Sequence, residues 1–487
     1  MTAPDSAEAT SPAGAAATDP EAGAFDDLDA LVAASDAPEA RWADDDDNAT
    51  ALTWVDAAAV ADPAPPVDED GGPSILAGAH LRPAVSRPGV LVPVGVVLAL
   101  VGAYTGATLL WPLHEVAPTV QTAEFATVPA PAAVITWPTQ GSAAVGIDGI
   151  GTVASTTDPA VIASITKVVS AMMVLDRMPL APGEQGPSFS FTKADSQSYL
   201  AYKRGDQSAL DVPVGGTLTE YQMLQGVLLG SANNYIDRLA KEIWGTEAAF
   251  ADAAATWLSD RGISGITIKS PSGFDERNVS TPEALIAVAE KAMQNPVFAE
   301  IVGTASVDLP GAGTVRNTNG MLADAGVIGI KTGTLEESWN LLTAKNVRVG
   351  DTTVTLYASV LTQEDDDMRL ASTRSLFSQV ESELQSQGPV VPKGTVVGTV
   401  DTLWGAPVDV LTDADTDVVL WNGASAETVV DFDLGDARKA GAEVGTLTAT
   451  GPLGSTSTPL TLARTVPDPS PWWRLTHPLE LFGVTDR

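Results

Sequence analysis

Residues 163–172 read Ala163-Ser164-Ile165-Thr166-Lys167-Val168-Val169-Ser170-Ala171-Met172 and set a hydroxyl and an amine three positions apart at the head of an apolar run. Residues i and i+3 share one face of a helix, so Ser164 and Lys167 project together. A serine hydroxyl is a weak nucleophile until a base takes its proton. A lysine serves as that base only when neutral, a state that burial and nearby positive charge favour. The start of a helix, with its free N–H groups, also favours developing negative charge at Ser164. The usual alternative base is excluded here. The three histidines are His80, His114 and His477, so residues 115–476 contain no Ser-His-Asp triad.

Two more short stretches follow in order. Leu228-Leu229-Gly230-Ser231-Ala232-Asn233-Asn234 offers a hydroxyl and an amide after a glycine, which suggests a tight turn. Ser231 is suited to pass a proton to a leaving amine. Asn233 is suited either to hold a peptide backbone or to orient Lys167. Lys331-Thr332-Gly333-Thr334 continues the apolar run Val327–Ile330 and reads as an inner strand. Gly333 there allows close approach to the backbone. Lys331, Thr332 and Thr334 can hydrogen-bond a substrate carboxylate. The backbone N–H groups of Ser164 and Thr334 are the expected oxyanion donors. Each motif alone is weak, and the chain repeats two of them. Ser190-Phe191-Thr192-Lys193 has the first spacing without an apolar helix behind it, and Ser338-Trp339-Asn340 has the second out of order.

The surrounding pattern is α+β, with helices beside an antiparallel sheet. Strands are expected at Val134–Trp137, Ala143–Ile147, Val327–Thr332 and Thr352–Leu361. Helices are expected from Asp158-Pro159 through Leu175, over Thr219–Trp244 with a break near Gly230, over Thr281–Met293, and over residues 370–387. Thr281 is the expected N-cap of its helix, with Pro282 at the first position. After Gly388-Pro389 short alternating runs separated by Gly, Asp and Pro turns predict a small all-β domain to about Val466.

The chain has 487 residues, no cysteine and a net charge of −36. Disulfides, thiolate nucleophiles and cysteine-ligated metals are therefore excluded, and so acidic a surface repels nucleic acid. Residues 1–88 hold 18 acidic residues against Arg41, Arg82 and Arg87. This segment reads as a disordered acidic tail. Val90–Leu110 carries no charge, and 21 residues at about 1.5 Å rise span roughly 30 Å, a bilayer core. Arg82 and Arg87 precede the span, and no Lys or Arg follows until Lys167. The positive-inside rule then puts the N-terminus in the cytoplasm and the rest outside. The expected order is tail 1–88, transmembrane helix 89–111, Pro/Ala stalk 112–133, catalytic domain 134–387, β domain 388–466 and C-terminal tail 467–487.

With these motifs in order the chain resembles the serine-type D-alanyl-D-alanine carboxypeptidases, the low-molecular-weight penicillin-binding proteins. Ser270–Phe274 (SPSGF) and Trp339-Asn340-Leu341-Leu342 add to the likeness. The resemblance runs from about Val134 to Gln387. It implies a penicillin-binding, transpeptidase-like fold without a metal or cofactor. It also implies attack by Ser164 on the terminal D-Ala-D-Ala bond of a peptidoglycan stem peptide, an acyl-enzyme, and acylation of the same serine by β-lactams. By motif, Ser164, Lys167 and Ser231 would be catalytic, while Asn233, Lys331, Thr332, Gly333 and Thr334 would bind substrate. Arg369 stands where the family often has an arginine for the terminal carboxylate. The family is often anchored by a C-terminal amphipathic helix, whereas here the N-terminal span is the expected anchor. Two alternatives are a class A-like β-lactamase, which needs a deacylating carboxylate followed closely by Asn, where the nearest pair, Glu290 and Asn295, lies on a helical run with the wrong spacing, and a non-catalytic, membrane-tethered wall-binding protein of the same fold.

Overall fold

The computed structural model describes residues 88–485. The expected acidic tail lies, apart from Pro88, outside the described residues. Helix α1 (Pro88–Leu110) is uncharged and tolerates Pro93 in its second turn. Its mean hydropathy reaches 2.1 over an 18-residue window, none of it buried. It is long and apolar enough to cross a bilayer and is consistent with a membrane anchor.

The central body contains β2 (Ser142–Ile147), β3 (Gly151–Ala154), α2 (Thr166–Arg177), α3 (Glu220–Leu228), α4 (Asn233–Trp244), α5 (Pro282–Met293), β4 (Val327–Leu335), β5 (Ser338–Val349), β6 (Thr352–Gln363) and α6 (Asp366–Gln385). The five strands form an antiparallel sheet in the order β4-β5-β6-β2-β3. Side chains alternate across it, as the two-residue period of a strand requires. Ala144, Tyr357 and Leu361 face the helical cluster built from α2, α3 and α4. Ala143, Val145, Ala358 and Val360 face Leu376, Phe377 and Val380 of α6. Helices thus cover both faces, so these strands read as continuous apolar runs. Each fully buried Leu or Phe contributes about 1.5–3 kcal/mol. Thr281 accepts the N–H of Ala284 and caps α5 with Pro282 in its first turn, as expected.

A second sheet combines β1 (Thr119–Thr122) with β7 (Val396–Thr402), β8 (Gly405–Thr412), β9 (Glu427–Phe432), β10 (Glu443–Gly451) and β11 (Gly454–Leu462), in the order β1-β7-β8-β11-β10-β9. It has its own core of Val397, Val400, Val408, Val410, Leu447 and Leu460.

Four expectations are corrected. The segment 112–133 is no free stalk, because β1 pairs with β7 and residues 128–131 bond to Val390, Gly423 and Ala424. An open sheet edge offers unpaired N–H and C=O groups, and this extended segment satisfies them. Val134–Trp137 is not a strand; its backbone N–H groups bond the side chains of Glu383 and Gln379 on α6. Asp158-Pro159 opens no helix: it precedes the short strand Ala160–Val161, and helical structure begins only at Ala163. The strand carrying Lys331 is β4, at the edge of the sheet rather than inside it.

Candidate active site

Ser164 occupies the 3-10 turn Ala163–Ile165 that runs directly into α2. The turn bends sharply, with Ala163 at φ +48°. It is held from two sides by glycines. A Cβ at Gly273 would stand 2.0 Å from the carbonyl oxygen of Ala163, and one at Gly333 would stand 2.6 Å from that of Ile162. Gly333 was expected to admit substrate. On the side where a Cβ would stand, it packs β4 closely against the turn that carries Ser164.

Lys167 Nζ lies 2.7 Å from Ser164 Oγ and donates to the carbonyl of Ser272 at 2.6 Å. The side chain has no exposure. Burial pushes its pKa down to about 7, and the carboxylate of Asp237 opposes that fall. At neutral pH a large share of this amine is therefore unprotonated, with a lone pair beside the serine hydroxyl. Asp237, on α4, accepts a hydrogen bond from Tyr202 Oη at 2.8 Å. Burial raises its own pKa to about 6, against the pull of Tyr202 and Lys167. The two groups titrate as a pair.

Ser231 and Asn233 sit at the head of α4. The turn owes its shape to Ser231, at φ +59°, and not to Gly230 as expected. Gly230 is needed for space, because a Cβ there would come within 2.8 Å of Val315 Cγ1. Asn233 donates to Gln207 Oε1 at 2.8 Å, and its own Oδ1 is buried without a partner among the described residues. Burying an unpaired acceptor costs about 1–3 kcal/mol, a cost that a substrate N–H would relieve.

Lys331 is buried and donates to the carbonyl of Thr332 at 3.1 Å. Burial, with the charges of Lys167 and Arg369, holds its pKa well below the ordinary lysine range. A carboxylate beside it would favour the protonated amine. Thr332 Oγ1 lies 2.6 Å from Thr318 Oγ1. Arg369 lies behind the strand: Nη1 donates to the Gly333 carbonyl, Thr334 Oγ1 and the Asn340 carbonyl, and Nε donates to Asp366. Its guanidinium also covers the Trp339 ring at 5.0 Å.

The structure thus brings Ser164, Lys167, Lys331, Gly333, Thr334 and Arg369 into one connected group, with Ser231 and Asn233 on the neighbouring α4. Neither repeated motif supplies a hydroxyl to the Ser164 group, although Trp339 and Asn340 pair with Thr334 and Gly333 on the neighbouring strand. Thr192 caps the helix Lys193–Arg204, and Ser338 bonds Asn340. Glu290 is half-buried in the field of Asp148, and Asn295 caps the helix Pro296–Gly303, so neither hydrogen-bonds the Ser164 group. Sequence reasoning missed Asp237, Ser272, Gln207 and Thr318. Ser272 lay inside the SPSGF stretch and was readable as part of it. Asn278 fixes that loop, accepting the N–H groups of Lys269 and Ser270 and donating to Ser270 Oγ and the Asp275 carbonyl.

A hydroxyl, a buried amine beside it and a second lysine on the adjoining edge strand make the apparatus of a serine-type hydrolase. The profile of the D-alanyl-D-alanine carboxypeptidases (Peptidase S11) matches residues 152–363. The chain is 30% identical to the D-alanyl-D-alanine carboxypeptidase of a Streptomyces species over 227 residues, 42% of this chain and 76% of that one. It is also 30% identical to the D-alanyl-D-alanine carboxypeptidase DacB2 of Mycobacterium tuberculosis over 178 residues, 35% of this chain and 57% of its relative. A Streptomyces DD-transpeptidase crystal structure superposes with TM-score 0.44 at 25% identity, covering 50% of this chain and 98% of that one. The chain belongs to the D-alanyl-D-alanine carboxypeptidase family of serine-type hydrolases.

Proposed function

We propose that this protein removes the terminal D-alanine from peptidoglycan stem peptides through an acyl-enzyme on Ser164, and that β-lactams acylate the same oxygen. One observation carries the reading: the buried Lys167 amine stands 2.7 Å from Ser164 Oγ. Neutral Lys167 takes the hydroxyl proton as Ser164 attacks the penultimate D-alanine carbonyl. The backbone N–H groups of Ser164 and Thr334 receive the oxyanion, where losing one donor typically costs about 10²–10³ in rate. Ser231 delivers the proton to the leaving amine, and water then hydrolyses the ester. The terminal carboxylate sits against Lys331, Thr332 and Thr334. Arg369 acts through Thr334 and the β4 backbone, since its donors are already engaged by the chain. The test is a digest of diacetyl-Lys-D-Ala-D-Ala followed by mass spectrometry. Loss of one D-alanine supports the reading. An intact peptide, with a chain that fluorescent penicillin fails to label, points to the non-catalytic wall-binding alternative.

Asp237 tempers the effect of burial on the base of this site. Its anion raises the proton affinity of Lys167, so Asp237→Asn removes that attraction and lowers the pKa of the base. The acid limb of the penicillin-labelling rate then moves to lower pH. Asparagine keeps an acceptor for Tyr202, so a merely structural role predicts a scaled curve with its limb in place.

The positive-inside asymmetry supports a single-pass arrangement with the catalytic body outside the plasma membrane. Protease added to intact cells should then digest the body after Trp111. A body left whole under conditions that digest an external control protein would reverse the orientation.

A further inference from the structure

The last described residues hold the outer end of α1. Arg474 Nη1 donates to the carbonyl of Trp111 at 2.8 Å and to that of Thr108 at 3.4 Å. These lie at the C-terminal end of α1, where helix carbonyls lack intrahelical partners and a cation is favoured. Tyr104 Oη donates to the carbonyl of Leu475 at 2.6 Å. The rings of Trp111 and Phe482 meet edge to face at 4.7 Å. Thr108 is fully buried under this contact, while the rest of the helix lies largely bare. Gly483, at φ +70°, passes so close to Glu115 that a Cβ would stand 3.0 Å from its side chain. The same segment reaches the second sheet, where Trp473 stacks on His477 at 4.9 Å and meets Trp404 at 5.5 Å, and Trp404 Nε1 donates to the Pro467 carbonyl.

We infer that residues 470–485 form a collar that clasps the outer end of the span and rests on the outer lipid surface through Trp472, Leu479 and Val484. This rests on the reading of α1 as a bilayer span. The contacts of Arg474 set the depth: the collar bonds the backbone where the apolar helix stops, which is where a span leaves the hydrocarbon. Its unpartnered side chains are apolar at that level, with Trp472 74%, Leu479 53% and Val484 68% exposed. Tryptophan favours the headgroup boundary, with its ring in the apolar layer and its N–H in the wet one. The collar's charged residues, Arg474 and Glu480, balance, and Arg474 is already spent on helix carbonyls. Attachment therefore needs apolar burial rather than anionic lipid. The β domain is then mounted on the membrane through the collar.

The chain has no cysteine, so single-cysteine variants take one environment-sensitive fluorophore each. Full-length Trp472→Cys, Leu479→Cys, Leu98→Cys and Val429→Cys, in phosphatidylcholine nanodiscs with or without phosphatidylglycerol, give the comparison. Val429 is an exposed position on β9 and Leu98 lies in α1. The collar predicts blue-shifted emission and quenching by nitroxide-labelled lipid at Leu98, Trp472 and Leu479, unchanged by the anionic lipid, with aqueous emission at Val429. In an Arg474→Ala, Tyr104→Phe background the Leu479 probe should shift back towards aqueous emission. A shielded Leu98 with aqueous Trp472 and Leu479 probes overturns the collar alone. An aqueous Leu98 probe overturns the span and the collar with it. Shielding that survives Arg474→Ala combined with Tyr104→Phe, which removes both hydrogen-bonded contacts of the collar with the helix, overturns the clasp.

Discussion

Ser164→Ala should abolish covalent labelling by fluorescent penicillin and release of D-alanine, while melting within about 0.5 kcal/mol of the wild type, as a small exposed-side change does. The serine is partly exposed at the lip of α2, and among the described residues its side chain bonds only Lys167. Removing it opens no cavity in the core. Residual turnover from binding and the oxyanion donors would yield no covalent adduct. A labelled Ser164→Ala chain, with the adduct on another serine, would transfer the nucleophile elsewhere, Ser231 being the other serine of the motif set.

Lys167→Met should separate chemistry from stability. Methionine approximates the length of the lysine stem and needs no hydration, but it leaves the Ser272 carbonyl without its donor, so the two effects oppose and the variant should melt within about 3 kcal/mol of the wild type. Acylation should nevertheless fall by about 10²–10⁴, the usual contribution of a positioned base. If the same variant labelled at the wild-type rate, Lys167 would be a structural hydrogen-bonder to Ser272. If it melted much lower, the amine would be holding the 270–275 loop as well as serving the serine.

The three motifs were legible because their chemistry is local. Ser164 and Lys167 share a helical turn, and Ser231 with Asn233 and Lys331 with Thr334 lie within four residues of each other. The helices around them followed from cap chemistry, as at Thr281 and Pro282. Asp237 was not legible: four residues past Asn233 on an amphipathic helix it reads as an ordinary solvent-facing acid, and only folding sets it near Lys167. Thr318 and Gln207 are likewise recruited across the fold. Sheet order was hidden too. The run Val327–Ile330 signals burial on both faces, which an edge strand under helices also experiences, so it does not reveal whether a neighbour lies on each side. The Pro- and Ala-rich segment before Val134 has no alternation to mark a strand. Thr119–Thr122 becomes one only because β7, more than 270 residues later, offers it an open edge. Gly333 shows the same limit: its sequence position gives no sign that a side chain there would meet the backbone of Ile162.

The most direct measurement is the second-order rate of Ser164 acylation by a fluorescent β-lactam across pH 5 to 8, roughly the range spanned by Lys167 and Asp237. An uncharged amine as the base predicts a rate that climbs about tenfold per pH unit below about 7 and levels above it, with the limb displaced downward in Asp237→Asn. A rate that is flat through that range in the wild type would contradict proton removal by Lys167.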